Sequence, residues 1–375
     1  MGARTLEVAI AAGGTAGHVN PALALAEELR SRGHHVRFFG ETRRLEGRLV
    51  PEAGFDFVPV SVTGFDRARP WTLVTALAHL SREERRLVRA FGDGSIPRPD
   101  VAIGFGAYVE LPLVQAAHRI GVPVALHEQN SVPGLANKQS ARVASLIAIA
   151  QPGVEEVFRP RCGAGARIVP TGNPVRASVL AGDRARGRSA YGVPEDATML
   201  LIFGGSLGAK HLNDRAASLK RDLLAIDGLH VVHSTGADGY EDAVAALGLT
   251  DGEAERWRVV PYIDQMGDTL AAADLALSRA GASSVAEIAA LAVPSVLVPY
   301  PHATADHQTT NARYLVDAGA AVMFADADID SAGFADELSR LLANAPARAA
   351  MRDAARGLGQ DRAAQRLADE LESIA

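Results

Sequence analysis

Short apolar runs alternate with helix-type patterns along the whole chain. Runs such as 199–203 and 296–298 are apolar at every position instead of alternating with polar residues. This is typical of parallel strands whose two faces are both covered by helices. The pattern predicts strands at 6–11, 35–39, 57–61, 100–103, 123–127, 145–149, 198–203, 229–233, 257–260, 274–277 and 295–298. The alternation predicts an α/β protein with two doubly wound, Rossmann-like parallel sheets.

Two glycine-rich turns each follow a predicted strand and lead into a helix-type segment. Residues 13–18 read Gly-Gly-Thr-Ala-Gly-His, and residues 204–209 read Gly-Gly-Ser-Leu-Gly-Ala. A turn in this context points backbone N–H groups at a ligand, where they can hold phosphate oxygens. One such turn means little, but one in each half of the chain predicts two nucleotide-type domains that face one cleft. The first helix is predicted to begin at Pro21 and to end before Gly33.

The chain of 375 residues is long enough for two α/β domains. A turn-rich tetrapeptide at 171–174 marks the predicted boundary between them. The predicted organisation is an N-terminal domain over 1–174, a C-terminal domain over 175–345, and C-terminal helices over 346–375 that pack back toward the N-terminal domain.

Composition and charge argue against several classes of protein. The net charge of −6 divides into +5 for residues 1–176 and −11 for the remainder, and the basic half has no dense Lys/Arg run interleaved with aromatic residues. No nucleic-acid partner is therefore expected, whereas a weakly basic half suits an anionic membrane surface. No apolar run reaches the roughly 18 residues of a membrane span, and no signal-peptide pattern opens the chain, which predicts a cytoplasmic protein. The single cysteine, Cys162, excludes an internal disulfide and a multi-cysteine zinc site.

Candidate chemistry in the first half follows the predicted strands. His18 lies at a helix N-terminus, where the helix dipole favours the neutral imidazole that can accept a proton; a capping or packing histidine is the alternative. A second glycine turn, at 104–108, permits close approach of an anionic group, or is a routine strand-to-helix turn. Residues 127–130 read His-Glu-Gln-Asn at the carboxyl end of a buried strand. Four consecutive polar side chains there are hard to explain by packing and favour ligand binding.

The second half carries a small-residue turn at 279–287, directly after a predicted strand. Small residues let the backbone approach a pyrophosphate, and the helix N-terminus supplies N–H donors. Glu287 can accept both ribose hydroxyls, or it is a glutamate favoured by the helix dipole. Polar residues at 306–311 either read sugar hydroxyls or cap a helix. The Asp-x-Asp at 326–328 lies far downstream and is interpreted as a helix-start loop, so no metal and no cofactor are expected.

Residues 71–89 combine helical apolar spacing with clustered arginines. Trp71, Val74 and Leu77 fall on one face, and arginines follow from Arg82 onward. Such a helix lies at a membrane surface, with apolar side chains in lipid and basic residues beside the headgroups, or it is an ordinary helix packed on the sheet. The two interpretations are compatible.

Taken in order, these motifs resemble the MurG family of UDP-N-acetylglucosamine--N-acetylmuramyl-(pentapeptide) pyrophosphoryl-undecaprenol N-acetylglucosamine transferases. The stretches that carry the resemblance cover essentially the whole chain: 13–18 with Asn20-Pro21, 104–108, 127–130, 172–176, 204–209, 263–266, 279–287 and 306–311. The resemblance implies a GT-B glycosyltransferase that transfers GlcNAc, with inversion, from UDP-GlcNAc to the 4-hydroxyl of the MurNAc unit of undecaprenyl-linked lipid I, forming lipid II for peptidoglycan. It also implies a peripheral protein on the cytoplasmic face of the cell membrane, with other cell-wall synthesis proteins as further partners.

The same resemblance implies roles for individual residues. His18 matches the candidate general base, and Asn130 and Gln308 match positions that contact sugar. The first glycine loop near the sugar and acceptor corresponds to Thr15, Ala16 and Gly17. The positions that hold UDP correspond to Arg176, Ser206, Ile263 (a backbone contact to uracil), Gly281, Ala282, Ser283, Ser284, Val285, Ala286 and Glu287 (the ribose acceptor).

Three positions depart from the family pattern. Ala16 stands where many members have glycine, Glu110 stands where small residues are frequent, and Gln308 is a single glutamine where a pair is commoner. Two other functions stay open beside the transferase: a UDP-sugar epimerase of the same fold, and a non-catalytic scaffold that binds nucleotide sugars. A dinucleotide dehydrogenase fits worst, because the first turn lacks the Gly-x-Gly-x-x-Gly spacing.

Overall fold

The computed structural model describes residues 4–62, 71–205 and 209–375. It divides into two compact units, the first formed by Met1–Arg176 with Arg362–Ala375 and the second by Ala177–Asp361. The chain therefore leaves the first unit once, near the predicted boundary, and returns to it for its last helix.

Both units consist of strands alternating with helices. The strands are β1 (Glu7–Ala11), β2 (His35–Gly40), β3 (Asp56–Pro59), β4 (Val101–Gly104), β5 (Val124–Glu128), β6 (Leu146–Ile149), β7 (Arg167–Pro170), β8 (Thr198–Phe203), β9 (Leu229–Ser234), β10 (Trp257–Val260), β11 (Leu275–Ser278), β12 (Ser295–Leu297) and β13 (Ala321–Met323). The helices are α1 (Ala16–Ser31), α2 (Leu45–Glu52), α3 (Thr72–Asp93), α4 (Glu110–Arg119), α5 (Leu135–Ser140), α6 (Glu155–Phe158), α7 (Ala177–Leu180), α8 (Arg184–Tyr191), α9 (Lys210–Ser218), α10 (Lys220–Leu224), α11 (Tyr240–Leu247), α12 (Asp251–Arg256), α13 (Met266–Ala272), α14 (Ala282–Ala290), α15 (His307–Asp317), α16 (Ala332–Ala343), α17 (Ala345–Arg356) and α18 (Ala363–Glu372). Short 3₁₀ turns lie at Ala237–Gly239, Thr304–Asp306, Asp326–Asp328 and Gln360–Arg362.

Each unit contains one parallel sheet. Over the described ranges the first sheet has the order β3-β2-β1-β4-β5-β6-β7 and the second β10-β9-β8-β11-β12-β13. Every strand pair is parallel. The prediction of two doubly wound parallel sheets is confirmed. In each sheet the strand order reverses once, between β1 and β4 and between β8 and β11, and ligands of open α/β sheets bind beyond the carboxyl ends of the strands at such a point.

The glycine turns lie at these two reversal points. The turn at 13–15 follows β1 and the turn at 104–108 follows β4, whose last residue pairs with the last residue of β1, Gly104 with Ala11. In the second sheet, 204–205 follows β8 and 279–281 follows β11, with Ser278 paired to Phe203. Parallel pairing in this register brings each pair of turns to the same edge of its sheet.

Helix α1 begins earlier than its sequence predicts. The helix starts at Ala16, and Pro21 lies inside it instead of at its first turn. The reason is the extended backbone of Thr15, whose carbonyl oxygen accepts the N–H groups of His18 and Val19 and so starts the helix directly after the glycine turn. Ala16, at the family's glycine position, occupies the first helical residue, where a Cβ causes no strain.

The last helix belongs to the core of the first unit. Leu367 and Leu371 on α18 are fully buried and pack in the same cluster as Leu25 of α1. Nη1 of Arg32 donates to Asp369 at 2.6 Å and to Glu372 at 3.0 Å, which ties the polar edge of α18 to the end of α1. Helix α17, by contrast, lies in the second unit, so the tail from 346 onward is divided between the two units.

Candidate functional site

His18 lies at the reversal point of the first sheet. It is the third residue of α1, and its Nδ1 is 3.1 Å from the hydroxyl oxygen of Thr15. A Cβ placed on Gly106 would come within 3.1 Å of both Cδ2 and Nε2 of the His18 ring. The structure therefore brings the turns at 13–18 and 104–108 together, with the imidazole of His18 against the second turn.

Three buried glutamates hold the loops at this edge. The carboxylates of Glu46, Glu110 and Glu128 accept backbone N–H groups of Gly14 (3.0 Å), Gly106 (2.6 Å) and Gly134 (3.1 Å), respectively, and all three side chains are buried. Neither Glu46 nor a role for Glu110 was predicted from the sequence, although Glu110 follows the glycine turn at 104–108 and begins an apolar segment. The N–H groups of Gly14 and Gly106 are thus already bonded inside the protein, and the expectation that these glycines receive an anion is not supported at those two atoms.

The segment 127–130 is mostly structural. Nε2 of His127 lies 2.9 Å from the carbonyl oxygen of Gly172, and burial lowers the pKa of His127 to about 4, which keeps the ring neutral. The amide of Gln129 donates to the carbonyl oxygen of Phe105 at 3.0 Å. Neighbouring loops therefore use His127, Glu128 and Gln129 as hydrogen-bond partners, a structural role that was not predicted from the sequence. Asn130 alone is only half-buried.

The reversal point of the second sheet carries the start of α14. Gly281 is the N-cap residue, and Ala282, Ser283 and Ser284 form the first turn, at the positive end of the helix dipole. The hydroxyl oxygen of Ser283 is buried and has no hydrogen-bond partner among the described residues. An anion at this helix end would accept a hydrogen bond from the hydroxyl and would be stabilised by the positive end of the helix dipole. The facing turn is described up to Gly205, and Ser206 lies outside the described residues.

Gln308 and its neighbours are fixed in orientation. Oε1 of Gln308 accepts the N–H of Ala280 at 3.1 Å and the N–H of Tyr300 at 2.9 Å. These two donors determine which end of the amide is oxygen, so the Nε2 group is left to donate elsewhere. Just before it, Ala305 and Asp306 have positive φ angles of 53° and 52°, a strained backbone that is common at ligand-binding loops.

An ion-pair chain lies behind the same loops. Arg279, directly after β11, contacts Asp326 at 2.5 Å, and the other oxygen of Asp326 lies 2.9 Å from Nδ1 of His211. Although burial alone would raise it, the bonds from His211 and Arg279 lower the pKa of Asp326 below its ordinary value. The first aspartate of the Asp-x-Asp motif is thus an ion-pair partner. Across the described ranges no group of three or more His, Cys, Asp and Glu side chains could hold a metal ion.

The remaining predicted nucleotide residues lie apart from one another along the chain. Ile263 is buried in the connection between β10 and α13, and Glu287 is half-buried on α14, six residues into the helix. Arg176, where the chain leaves the first unit, donates through Nη2 to Glu27 of α1 at 2.7 Å. The ion pair with Glu27 was not predicted from the sequence.

Helix α3 presents an apolar face to solvent. Trp71, just before the helix, is 70% exposed and Val74 is 72% exposed. Behind them, Leu77 and Leu80 line a cavity of about 600 Å³ together with Tyr108, Leu111 and Leu135, and with the basic residues Lys138, Arg142 and Arg161. Farther along α3, Leu87 and Phe91 pack into the core of the first unit. No helix in the described part of the chain is both long and apolar enough to cross a membrane.

The chain matches known proteins over its whole length. Residues 8–149 match the model of the glycosyltransferase family 28 N-terminal domain, and residues 199–370 match that of the C-terminal domain. A protein of Salinibacter ruber named UDP-N-acetylglucosamine--N-acetylmuramyl-(pentapeptide) pyrophosphoryl-undecaprenol N-acetylglucosamine transferase is 40% identical over 100% of this chain and 98% of its own length. The protein of the same name from Desulforudis audaxviator is 37% identical over 99% of each chain.

Solved structures agree with these matches. The crystal structure of Acinetobacter baumannii MurG superimposes with a TM-score of 0.74 at 30% identity, covering 98% of this chain and 100% of that one. CalG4, the calicheamicin glycosyltransferase, shares the fold with a TM-score of 0.67 at 20% identity over 99% and 98% of the two chains. The two family models, the full-length relatives and the MurG structure together show that this chain is a glycosyltransferase of family 28 and belongs to the MurG family.

Proposed function

We propose that the protein transfers GlcNAc from UDP-GlcNAc to the 4-hydroxyl of the MurNAc unit of lipid I, with inversion, to form lipid II. The substrates are those in the names of its full-length relatives. The observation that carries the proposal is His18, a histidine at a helix N-terminus and at the reversal point of its sheet, held by one glycine turn against another. The first unit is proposed to serve the acceptor and the second unit the donor.

His18 is the proposed general base. When Nδ1–H donates to the hydroxyl oxygen of Thr15, the lone pair of the neutral ring is on Nε2, on the side of Gly106. The positive end of the α1 dipole disfavours the charged imidazolium in the resting enzyme. In the transfer, the acceptor oxygen attacks the anomeric carbon, its proton passes to His18, and the bond from that carbon to the β-phosphate oxygen breaks. UDP leaves with the electron pair, and one displacement inverts the anomeric centre.

The donor is proposed to bind at the start of α14. The N–H groups of Ser283 and Ser284, and the Ser283 hydroxyl, which has no hydrogen-bond partner among the described residues, would stabilise the negative charge that develops on the leaving β-phosphate. The amide nitrogen of Gln308, oriented by its two backbone donors, would donate to a sugar hydroxyl. Glu287 would accept the ribose hydroxyls and the backbone of Ile263 would contact uracil. Arg176 and Ser206 are proposed to make the remaining contacts with UDP. The proposed contacts with the sugar and the acceptor are made by Asn130, Thr15, Ala16 and Gly17.

Membrane association is proposed to occur through α3. The exposed Trp71 and Val74 offer an apolar face, and basic side chains rim the adjacent cavity. Such a combination binds an anionic bilayer surface through buried apolar area plus electrostatic attraction. We propose a peripheral protein on the cytoplasmic face of the membrane, where lipid I and other cell-wall synthesis proteins would be met.

Release of UDP tests the proposal against its alternatives. Purified protein is incubated with UDP-GlcNAc in EDTA, with and without a short-chain lipid I analogue. Release that requires the analogue and survives chelation supports metal-free transfer. Conversion of UDP-GlcNAc without an acceptor would indicate an epimerase, and binding without turnover would indicate a scaffold.

A further inference from the structure

A buried carboxyl group lies beneath the second glycine turn. Glu110, the first residue of α4, is fully buried. Its Oε2 accepts the N–H of Gly106 at 2.6 Å, and its Oε1 accepts the hydroxyl of Ser140 at 2.9 Å. A Cβ on Gly104 would lie only 2.5 Å from Oε2, so the carboxyl group occupies the space that this glycine leaves open.

The turn above this carboxyl group is strained. Gly106 has a φ angle of 90°, and the next residue, Ala107, has a φ angle of 67°. A left-handed conformation costs a residue with a Cβ about 1 kcal/mol and persists only where the surroundings determine it. The hydrogen bond from Gly106 to Glu110 and that from the N–H of Glu110 to the carbonyl oxygen of Ala107 (3.2 Å) are such determinants.

The other face of the same turn meets His18. Gly106 is close enough to the imidazole that even a methyl group there would lie 3.1 Å from Cδ2 and Nε2. A shift of Gly106 therefore changes the space around the ring nitrogen that is proposed to receive the acceptor proton. The effect of Glu110 on the ring passes through the turn, by way of the Gly106 N–H.

We propose that Glu110 is a positioning residue for the acceptor reaction: by holding the N–H of Gly106 it fixes the turn against which His18 lies. Glu110 would act in the transfer reaction proposed above, so this proposal rests on that function.

Glu110 is largely neutral near neutral pH. Burial is the main cause that raises its pKa to about 8, and the nearby carboxylate of Glu128 adds to the effect, while the Gly106 and Ser140 bonds oppose it. Burial also raises the pKa of Glu128. Near neutral pH a glutamine at position 110 matches the predominant neutral form in shape and in its acceptor oxygen.

Three variants test the proposal in the full-length protein with UDP-GlcNAc and a lipid I analogue. E110Q keeps an oxygen for the Gly106 N–H, E110A removes it, and E110D shortens the side chain by one carbon and withdraws it. We expect E110Q to retain kcat within about threefold and E110A and E110D to lose about 10- to 100-fold, because a displacement of about 1 Å can cost 10²-fold. The affinity for UDP-GlcNAc should stay within twofold of the wild type, and E52Q, an exposed glutamate of α2, is the matched control.

The split between kcat and affinity separates positioning from loss of structure. E110D should lose kcat while its affinity for UDP-GlcNAc and its cooperative thermal unfolding stay those of the wild type, and E110Q, which keeps an acceptor oxygen for the Gly106 N–H, should restore kcat. The proposal would be overturned if E110A and E110D had the same kcat as the wild type, or if E110Q were as slow as E110D. If E110A fails to fold, the comparison of kcat between E110D and E110Q is sufficient to test the proposal. A wild-type protein with no acceptor-dependent UDP release would instead refute the proposed function.

Discussion

Replacing Asp326 by alanine should destabilise the second unit strongly. The side chains of Arg279 and Asp326 are 7% and 16% exposed, and D326A leaves the buried guanidinium without its carboxylate. Removing one partner of a buried ion pair costs about 3–5 kcal/mol. In D326A, Arg279 would still donate hydrogen bonds to the carbonyl oxygens of Val298 and Pro299, each at 3.2 Å. We therefore expect a cost at the lower end of this range, a loss of about 3 kcal/mol in the free energy of unfolding.

The two tryptophans allow this unit to be followed by itself. Trp257 is fully buried in the second unit and Trp71 is exposed in the first, so urea unfolding in a W71F background reports on Trp257. Asp328 lies in the same 3₁₀ turn but is exposed, and D328A is the matched control with an expected change below about 0.5 kcal/mol. If D326A unfolds at the same urea concentration as D328A, the ion pair does not contribute to stability and the reasoning is refuted.

The other predictions concern catalysis, donor binding, pH and the membrane. H18A should lower kcat by about 10²- to 10⁴-fold with UDP-GlcNAc affinity unchanged by calorimetry; unaltered kcat would remove it as the base. E287A should weaken UDP binding about tenfold or more, at about 1.4 kcal/mol per tenfold, and equal affinity would refute the ribose contact. Hydrogen bonds to two aspartates raise the pKa of His211, so its stabilisation is present below its unfolded pKa and is lost as pH rises through its folded pKa; the wild type should exceed H211A in stability more at pH 6 than at pH 9. W71D/V74D should reduce sedimentation with anionic vesicles, and undiminished binding would argue against α3 as the membrane face.

Most of both sheets could be predicted from the sequence, because inner strands such as β1, β4, β6, β8, β11 and β12 are mostly apolar. Two of the edge strands, β3 and β10, were predicted as well. The other two, β7 and β13, were not; they have only four and three residues, and their burial is mixed. The start of α1 was also misplaced, because Pro21 is a helix-start signal that the glycine turn at 13–15 overrides.

The places of the candidate residues in the fold could be predicted, but their hydrogen bonds could not. The glycine turns at 13–18 and 104–108 follow predicted strands, and the strand order of the first sheet brings them, with His18, to one edge of that sheet. The pairing of Glu46 with Gly14 depends on contact between segments 32 residues apart, and that of Arg176 with Glu27 on segments 149 apart. Nothing local in the sequence encodes such contacts. For the same reason the polar run at 127–130 was assigned to ligand binding when most of it bonds neighbouring backbone.

The stereochemistry of the product tests the central claim most directly. The protein is incubated with UDP-GlcNAc labelled in the sugar and a lipid I analogue, and the isolated product is examined by NMR for the anomeric configuration and the position of the new linkage. We predict a single disaccharide product with a β linkage to the 4-oxygen of MurNAc, formed in step with UDP and lost in H18A. An α linkage, attachment at another oxygen, or UDP formed without a disaccharide would contradict inverting transfer to lipid I.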